Sequence, residues 1–205
     1  MTLYRQKYRA ESIRLEHWDY STSALYFVTI CTKDKAHTLG EIVDGVFAPT
    51  KAGEYVKARW SDIPAHFPFV TLDAFVVMPN HVHGIIHISG DLKEGVIIPQ
   101  EAYVRERGDA HLRVSTDAGE HPGRSFGPLQ PNSLSLVINN YNAAVRWNCK
   151  HDGIPFAWQE RFHEHIIRND RSYHKIRWYI ENNVAHWDGD SMNAHRNRTI
   201  QFPTT

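Results

Sequence analysis

The stretch that most limits how this chain folds is FVTLDAFVVM-PN-HVHGIIHIS, residues 69–89. Two runs rich in Val, Ile and Phe flank Pro79-Asn80, a residue pair whose backbone preferences suit a turn. The pattern predicts two strands, 69–78 and 81–89, joined at that turn. Apolar neighbours mark the second run as buried, yet His81 and His83 sit inside it with one valine between them. Side chains two apart on a strand point to the same face. The two imidazoles therefore converge, and Val82 turns the other way into the core.

Other segments supply the partners such a hairpin needs. LYFVTICT (25–32) is β-branched and aromatic and reads as a strand. GEIVDGVFAP (40–49) carries Asp44-Gly45 between apolar pairs, a hairpin signal. Residues 50–63 repeat Tyr55, Val56, Arg59, Trp60 and Ile63 at helical spacing, with Thr50 as cap and Gly53 weakening the first turn. Residues 132–151 form a second helix, capped by Ser133, with Leu134, Val137, Ile138, Tyr141 and Val145 on one stripe. RFHEHIIR (161–168) alternates as a strand. Residues 169–187 open with Asn169-Asp170 and put Tyr173, Ile176 and Ile180 on one helical face. Between these elements, residues 90–132 hold Pro99, Pro122, Pro128 and Pro131 without a sustained period, which reads as a long loop inserted into one domain. The domain is expected to span 1–188, followed by a polar tail, 189–205.

Without the 40–49 hairpin and the last helix, the order is β-α-β-β-α-β. That order predicts an α+β ferredoxin-like sandwich, an antiparallel sheet with its two helices on one face. The other face is left to hold a ligand.

Composition removes several function classes. No run approaches 18 apolar residues, so no membrane span is expected. The N-terminus is basic and polar without an apolar signal core, which points to the cytoplasm. Cys31 and Cys149 form no CxxC and read as reduced, packed thiols. The 23 basic residues balance 23 acidic ones, so net charge does not announce a nucleic-acid binder. The charge is nonetheless uneven: Arg5, Lys7, Arg9 and Arg14 cluster, as do Arg161, Arg168, Arg171, Lys175 and Arg177. Taken alone, either cluster reads first as a solvated face.

Two neutral imidazoles are good metal ligands but leave a divalent ion short of partners. In a chain with 14 histidines, a His-X-His by itself is also what chance gives. On the last predicted helix, Tyr179 and Asn183 lie four apart and share a face. The asparagine offers a carbonyl oxygen to a metal, the tyrosine a phenol nucleophile, and Lys175 one turn earlier a phosphate contact. The ordinary alternative is that Tyr179 half-packs under the sheet and Asn183 ends the helix.

AFVVMPNHVHGII, followed downstream by WQERFHEHIIRND and YIENN, resembles the tyrosine transposases of the single-stranded-DNA type. It is most similar to the group associated with repetitive extragenic palindromes, among the HUH nucleases named for histidine-hydrophobic-histidine. The resemblance runs from about residue 13 to residue 187. It implies His81 and His83 as metal ligands, Tyr179 as nucleophile and Asn183 as third ligand. The family pattern Tyr-Ile-x-x-Asn-Pro has Val184 in place of its proline here, which alters how the helix ends. Trp158, Gln159, Arg161, Phe162, Glu164, His165 and Arg168 match a further family signature, either as a sheet-edge strand or as DNA contacts.

The resemblance further implies a divalent metal, Mg²⁺ or Mn²⁺. The partner it implies is single-stranded or hairpin DNA, cut and rejoined through a 5′-phosphotyrosine, with Lys175, Arg161 and Arg168 as DNA contacts. A monomer is expected, with a dimer as the alternative. Two other functions compete: a non-catalytic hairpin binder, and a metal-dependent hydrolase of small molecules in which Tyr179 has no role.

Overall fold

The structure is a computed structural model that describes residues 23–89 and 132–193. The basic cluster Arg5 to Arg14, the start of the family resemblance and nearly all of the 90–132 insertion lie outside the described residues.

The strand β1 (Ala24–Cys31) leads through a short 3₁₀ turn, Lys33–Lys35, to a hairpin of β2 (Gly40–Val43) and β3 (Val46–Pro49). Its turn residues Asp44 and Gly45 both have positive φ, 52° and 75°, as the Asp-Gly signal requires. Helix α1 (Lys51–Ser61) follows, and the Thr50 hydroxyl accepts from the Gly53 N–H at 3.2 Å. After a single turn, α2 (Ile63–His66), come β4 (Val70–Met78) and β5 (His81–Ile88). Past the insertion are α3 (Leu134–His151), β6 (His163–Ile167) and α4 (Asp170–Glu181), then a 3₁₀ segment, Val184–Gly189. Ser133 caps α3 and Asn169 caps α4.

The main sheet has the order β4-β5-β1-β6, and every neighbouring pair is antiparallel. In chain order these are strands 2-3-1-4, the sandwich expected from the β-α-β-β-α-β pattern. One face of the sheet, here the inner face, carries Tyr26, Val28, Ile30, Val82, Ile86 and Ile88. They pack against α1 and α3 residues such as Val56, Trp60, Val137, Ile138 and Tyr141. On the outer face, Ile85 and Ile167 pack with Ile180 of α4, and Leu25, Phe27, Tyr173 and Ile176 flank them. The extra helix thus covers part of the face that the two-helix pattern leaves open.

β4 and β5 lose register between Leu72 and Phe75, which oppose Ile86 and Gly84. One extra residue on β4 makes this a bulge. Leu72 and Phe75 both reach the inner face as a result, while Asp73 turns toward α4 and pairs with Arg177 at 3.0 Å. Cys31 and Cys149 are buried and free, as expected. Trp158 belongs to the inner core, and the Gln159 N–H bonds the Cys31 carbonyl at 2.9 Å. The first two residues of the downstream signature therefore pin the approach to β6.

Gly53 has a reason that helical propensity misses. A Cβ there would lie 2.0 Å from the Leu39 carbonyl oxygen, which is held by the Thr50 N–H at 2.9 Å. Propensity alone predicts that Gly53→Ala stabilises α1 by roughly 1 kcal/mol. The close approach reverses the sign, and overpacking losses of about 1–3 kcal/mol are expected instead. Urea unfolding of the two proteins checks this, and an alanine variant at least as stable as the parent would contradict it.

Candidate active site

His81 and His83 lie on the outer face of β5, with ring centroids 4.5 Å apart, and both are buried. Register sets their neighbours: Cys31 and Met78 oppose His81, and Thr29 and Val76 oppose His83. The Thr29 hydroxyl bonds His83 Nδ1 at 2.8 Å, and the Asn80 side-chain oxygen bonds His81 Nδ1 at 2.7 Å. Asn80 Oδ1 can only accept, so His81 carries its proton on Nδ1 and leaves Nε2 with a lone pair. Burial lowers the pKa of His81 to about 4, although Asp190 pulls it upward. Burial, with His81 and His163 nearby, holds His83 well below the usual imidazole value. At neutral pH both rings are uncharged, the form that ligates metals.

Tyr179 of α4 reaches the same place. Its hydroxyl is 3.1 Å from His83 Nε2, and Phe27 stacks on the His83 ring at 5.3 Å and meets Tyr179 edge-on. Burial raises the Tyr179 pKa, the Asp190 charge raises it further, and a hydrogen bond from the Asn183 side chain opposes both. The phenol is thus protonated at neutral pH and hydrogen-bonds His83 Nε2. The other helical tyrosines are spent elsewhere: the Tyr141 hydroxyl bonds the Val56 carbonyl in the inner core, and that of Tyr173 bonds Asp73.

The last helix is shorter than its sequence pattern suggests. It stops at Glu181 instead of running to 187, and Asn183 opens the 3₁₀ segment. The stop is made without a proline: the Asn182 side chain adds a second donor to the Trp178 carbonyl at 2.8 Å, and the Asn183 N–H turns to the Ile180 carbonyl at 3.3 Å. Asn183 keeps helical dihedrals, φ −63° and ψ −40°, so its side chain still reaches Tyr179.

Asp190 joins the group from beyond the residue where the sequence pattern loosens. Its Oδ2 lies 4.0 Å from His81 Nε2, and its side chain is 6% exposed. Among the described residues, His81, His83 and Asp190 bring one donor atom each to within 4.8 Å of one another. His81 Nε2 and Asn183 Oδ1 are both buried without a hydrogen-bond partner. A buried polar atom left unpaired costs about 1–3 kcal/mol. The unpaired His81 nitrogen, beside a carboxylate and a second imidazole, fits a small divalent cation with nitrogen and oxygen donors. Single-residue spacing could not single out Asp190, since an aspartate in a polar tail is unremarkable by pattern.

The remaining sequence-predicted residues do not converge on the histidines. Lys175 is exposed on α4, while Arg161 and Arg168 are exposed at opposite ends of β6. At a strand rise of about 3.3 Å per residue, roughly 20 Å separates those two. Strand alternation adds two neighbours that the sequence reading left unassigned. Ile166 packs on the inner face and Ile167 on the outer, so His163 and His165 share the outer face with His83. Beside Tyr179, Trp178 is 58% exposed.

No family model matches the sequence. A Haemophilus influenzae (strain ATCC 51907 / DSM 11121 / KW20 / Rd) protein, itself uncharacterized, is 36% identical over 182 residues, 88% of this chain and 91% of that one. A solved structure of a REP-associated tyrosine transposase bound to a REP hairpin superposes with a TM-score of 0.51 at 18% identity, over 85% of this chain and 74% of that one. No helix among the described residues is long and apolar enough to cross a membrane. The chain belongs to the same family as the Haemophilus influenzae protein, and its α+β sheet has the fold of that tyrosine transposase.

Proposed function

We propose that this chain is a metal-dependent tyrosine nuclease and strand transferase that cuts and rejoins single-stranded DNA beside hairpins, as the palindrome-associated transposases do. The observation that carries the reading is the 3.1 Å approach of the Tyr179 hydroxyl to His83 Nε2. A phenol delivered to one of two paired imidazoles puts a nucleophile where a metal-held phosphate would lie. The solved neighbour's hairpin ligand supports DNA as the partner. The zero net charge argues for a structured single strand over plain duplex, which would be held through phosphates alone.

His81 Nε2 and His83 Nε2 would hold Mg²⁺ or Mn²⁺, with Asp190 or Asn183 adding an oxygen. When bound, such an ion neutralises charge on the phosphoryl group and lowers the barrier to its displacement. The rest falls to the chain. Thr29 and Asn80 hold the two rings by their Nδ1 atoms, and Phe27 walls the site on the β1 side. With its proton on Nδ1, His83 offers one lone pair at Nε2, which would serve either the Tyr179 hydroxyl or a cation. Tyr179, 40% exposed, loses its proton to water as its oxygen bonds phosphorus. The bond from phosphorus to the 3′ oxygen breaks, and that oxygen leaves as a hydroxyl. One phosphate ester replaces another, so the 3′ hydroxyl can reverse the step without a nucleotide cofactor. Exposed Trp178 offers a face for an unpaired base, and Lys175 a cation for the backbone. Such a protein works in the cytoplasm, where its DNA is, and one chain carries both nucleophile and ligands, consistent with a monomer.

The decisive measurement uses a 3′-labelled hairpin oligonucleotide with Mg²⁺ or Mn²⁺, run on denaturing gels. The parent protein should form a labelled covalent adduct. Tyr179→Phe should lose it while still binding the hairpin, and should hold metal at least as tightly because His83 Nε2 is freed. Tyr141→Phe and Tyr173→Phe should retain the adduct. Hairpin binding by the parent with no adduct in either metal identifies a non-catalytic binder instead, and an adduct in Tyr179→Phe would remove Tyr179 from its role.

Metal binding itself separates the oxygen donors. Calorimetric titration with Mn²⁺ should show His81→Ala abolishing binding. Asp190→Ala should weaken it by more than about a hundredfold, beyond the roughly 10–100-fold loss that outer hydrogen-bond partners cause. Unchanged affinity in Asp190→Ala would leave Asn183 as the third donor.

A further inference from the structure

We infer that Asn80 is a positioning residue that ties His81 and Asp190 into one unit, so that the imidazole lone pair and the carboxylate are set by the same amide. Asn80 is fully buried at the turn between β4 and β5. Its Nδ2 donates to two backbone carbonyls, of Lys35 at 3.2 Å and Met192 at 2.9 Å. Those carbonyls can only accept, so the amide orientation is fixed and Oδ1 must face His81. Oδ1 in turn takes the Nδ1 proton of His81 at 2.7 Å.

The Met192 link closes a ring. The Met192 N–H donates to Asp190 Oδ1 at 2.7 Å, and Asp190 Oδ2 faces His81 Nε2 at 4.0 Å. From His81 the path runs through Asn80, Met192 and Asp190 back to the other nitrogen of the same ring. The Asn80 backbone is also held: its carbonyl accepts from the Thr32 N–H at 2.9 Å. Lys35, His81 and Met192, from three segments distant in sequence, meet at this one side chain. Outer partners of metal-binding histidines fix tautomer and orientation, and losing them costs about 10–100-fold in affinity.

An aspartate has nearly the same shape but no N–H. Asn80→Asp keeps an acceptor for His81 Nδ1 and loses both donors to Lys35 and Met192, whereas Asn80→Ala loses everything. The inference rests on reading the pair as a metal site, and the experiment keeps the two apart. Nitrogen-15 NMR of metal-free protein should show His81 with its proton on Nδ1 in the parent and a tautomer mixture in Asn80→Ala. Mn²⁺ titrations should give at least tenfold weaker binding for Asn80→Asp in the parent background and little further loss in an Asp190→Ala background, because the clamp acts through Asp190. Circular dichroism confirms that each variant is folded; should Asn80→Asp fail to fold, Asn80→Ser, which supplies one donor, takes its place. If the parent binds no Mn²⁺, the metal reading fails, although the tautomer result still tests half of the ring. If the parent binds Mn²⁺ but Asn80→Asp matches it, or loses equally with and without Asp190, or His81 carries its proton on Nε2, then Asn80 does not hold the site together.

Discussion

A buried imidazole must place two nitrogens, and β5 buries two imidazoles 4.5 Å apart. Protonating both would put like charges side by side out of water, so both stay neutral, with pKa values pushed down by burial. Each then needs an acceptor for one nitrogen and a use for the lone pair on the other. Thr29 and Asn80 serve the Nδ1 atoms. The Nε2 atoms are left facing Tyr179 and Asp190. The arrangement around the outer face follows from this requirement.

The rest of the fold builds the wall that makes such burial possible. The inner face is an ordinary apolar sandwich against α1 and α3, and Gly84 lets it close. A Cβ on Gly84 would stand 2.3 Å from the Trp60 ring, so the residue between His83 and Ile85 lets α1 lie against the strand. The outer face is covered only in part, by α4 through Ile85, Ile167 and Ile180. That partial cover leaves Tyr179 half-exposed between the apolar contact and the imidazoles, where one side meets the histidines and the other meets solvent. The Asp73–Arg177 pair anchors the far side of the same helix, at the bulge that turns Asp73 outward.

Much of this was legible along the chain. The strand alternation at 81–83, the Asp44-Gly45 turn and the caps Thr50, Ser133 and Asn169 are short-range signals, each set by local backbone chemistry. The pairing of Tyr179 with Asn183 was legible too, although the helix was expected to run unbroken to 187. The helix ended at 181, where the Asn183 N–H bonds the Ile180 carbonyl in place of that of Tyr179 and the chain tightens into the 3₁₀ segment. Gly53 was read by propensity alone, and the deciding contact comes from Leu39, fourteen residues earlier.

By itself, the sequence determined the element order, the face on which the two histidines lie and the helix that carries the phenol. These depend on periods of 2 and 3.6 residues, which any local window contains. Only the tertiary structure brought a carboxylate to the histidines. Asp190 is an aspartate in a polar stretch until the chain folds back and Met192 docks on Asn80, a residue more than a hundred positions earlier. Asn80 in sequence is half of a turn. In the fold it is an amide whose two donors and one acceptor are fixed by three separate segments, and no spacing rule encodes a contact among segments so far apart.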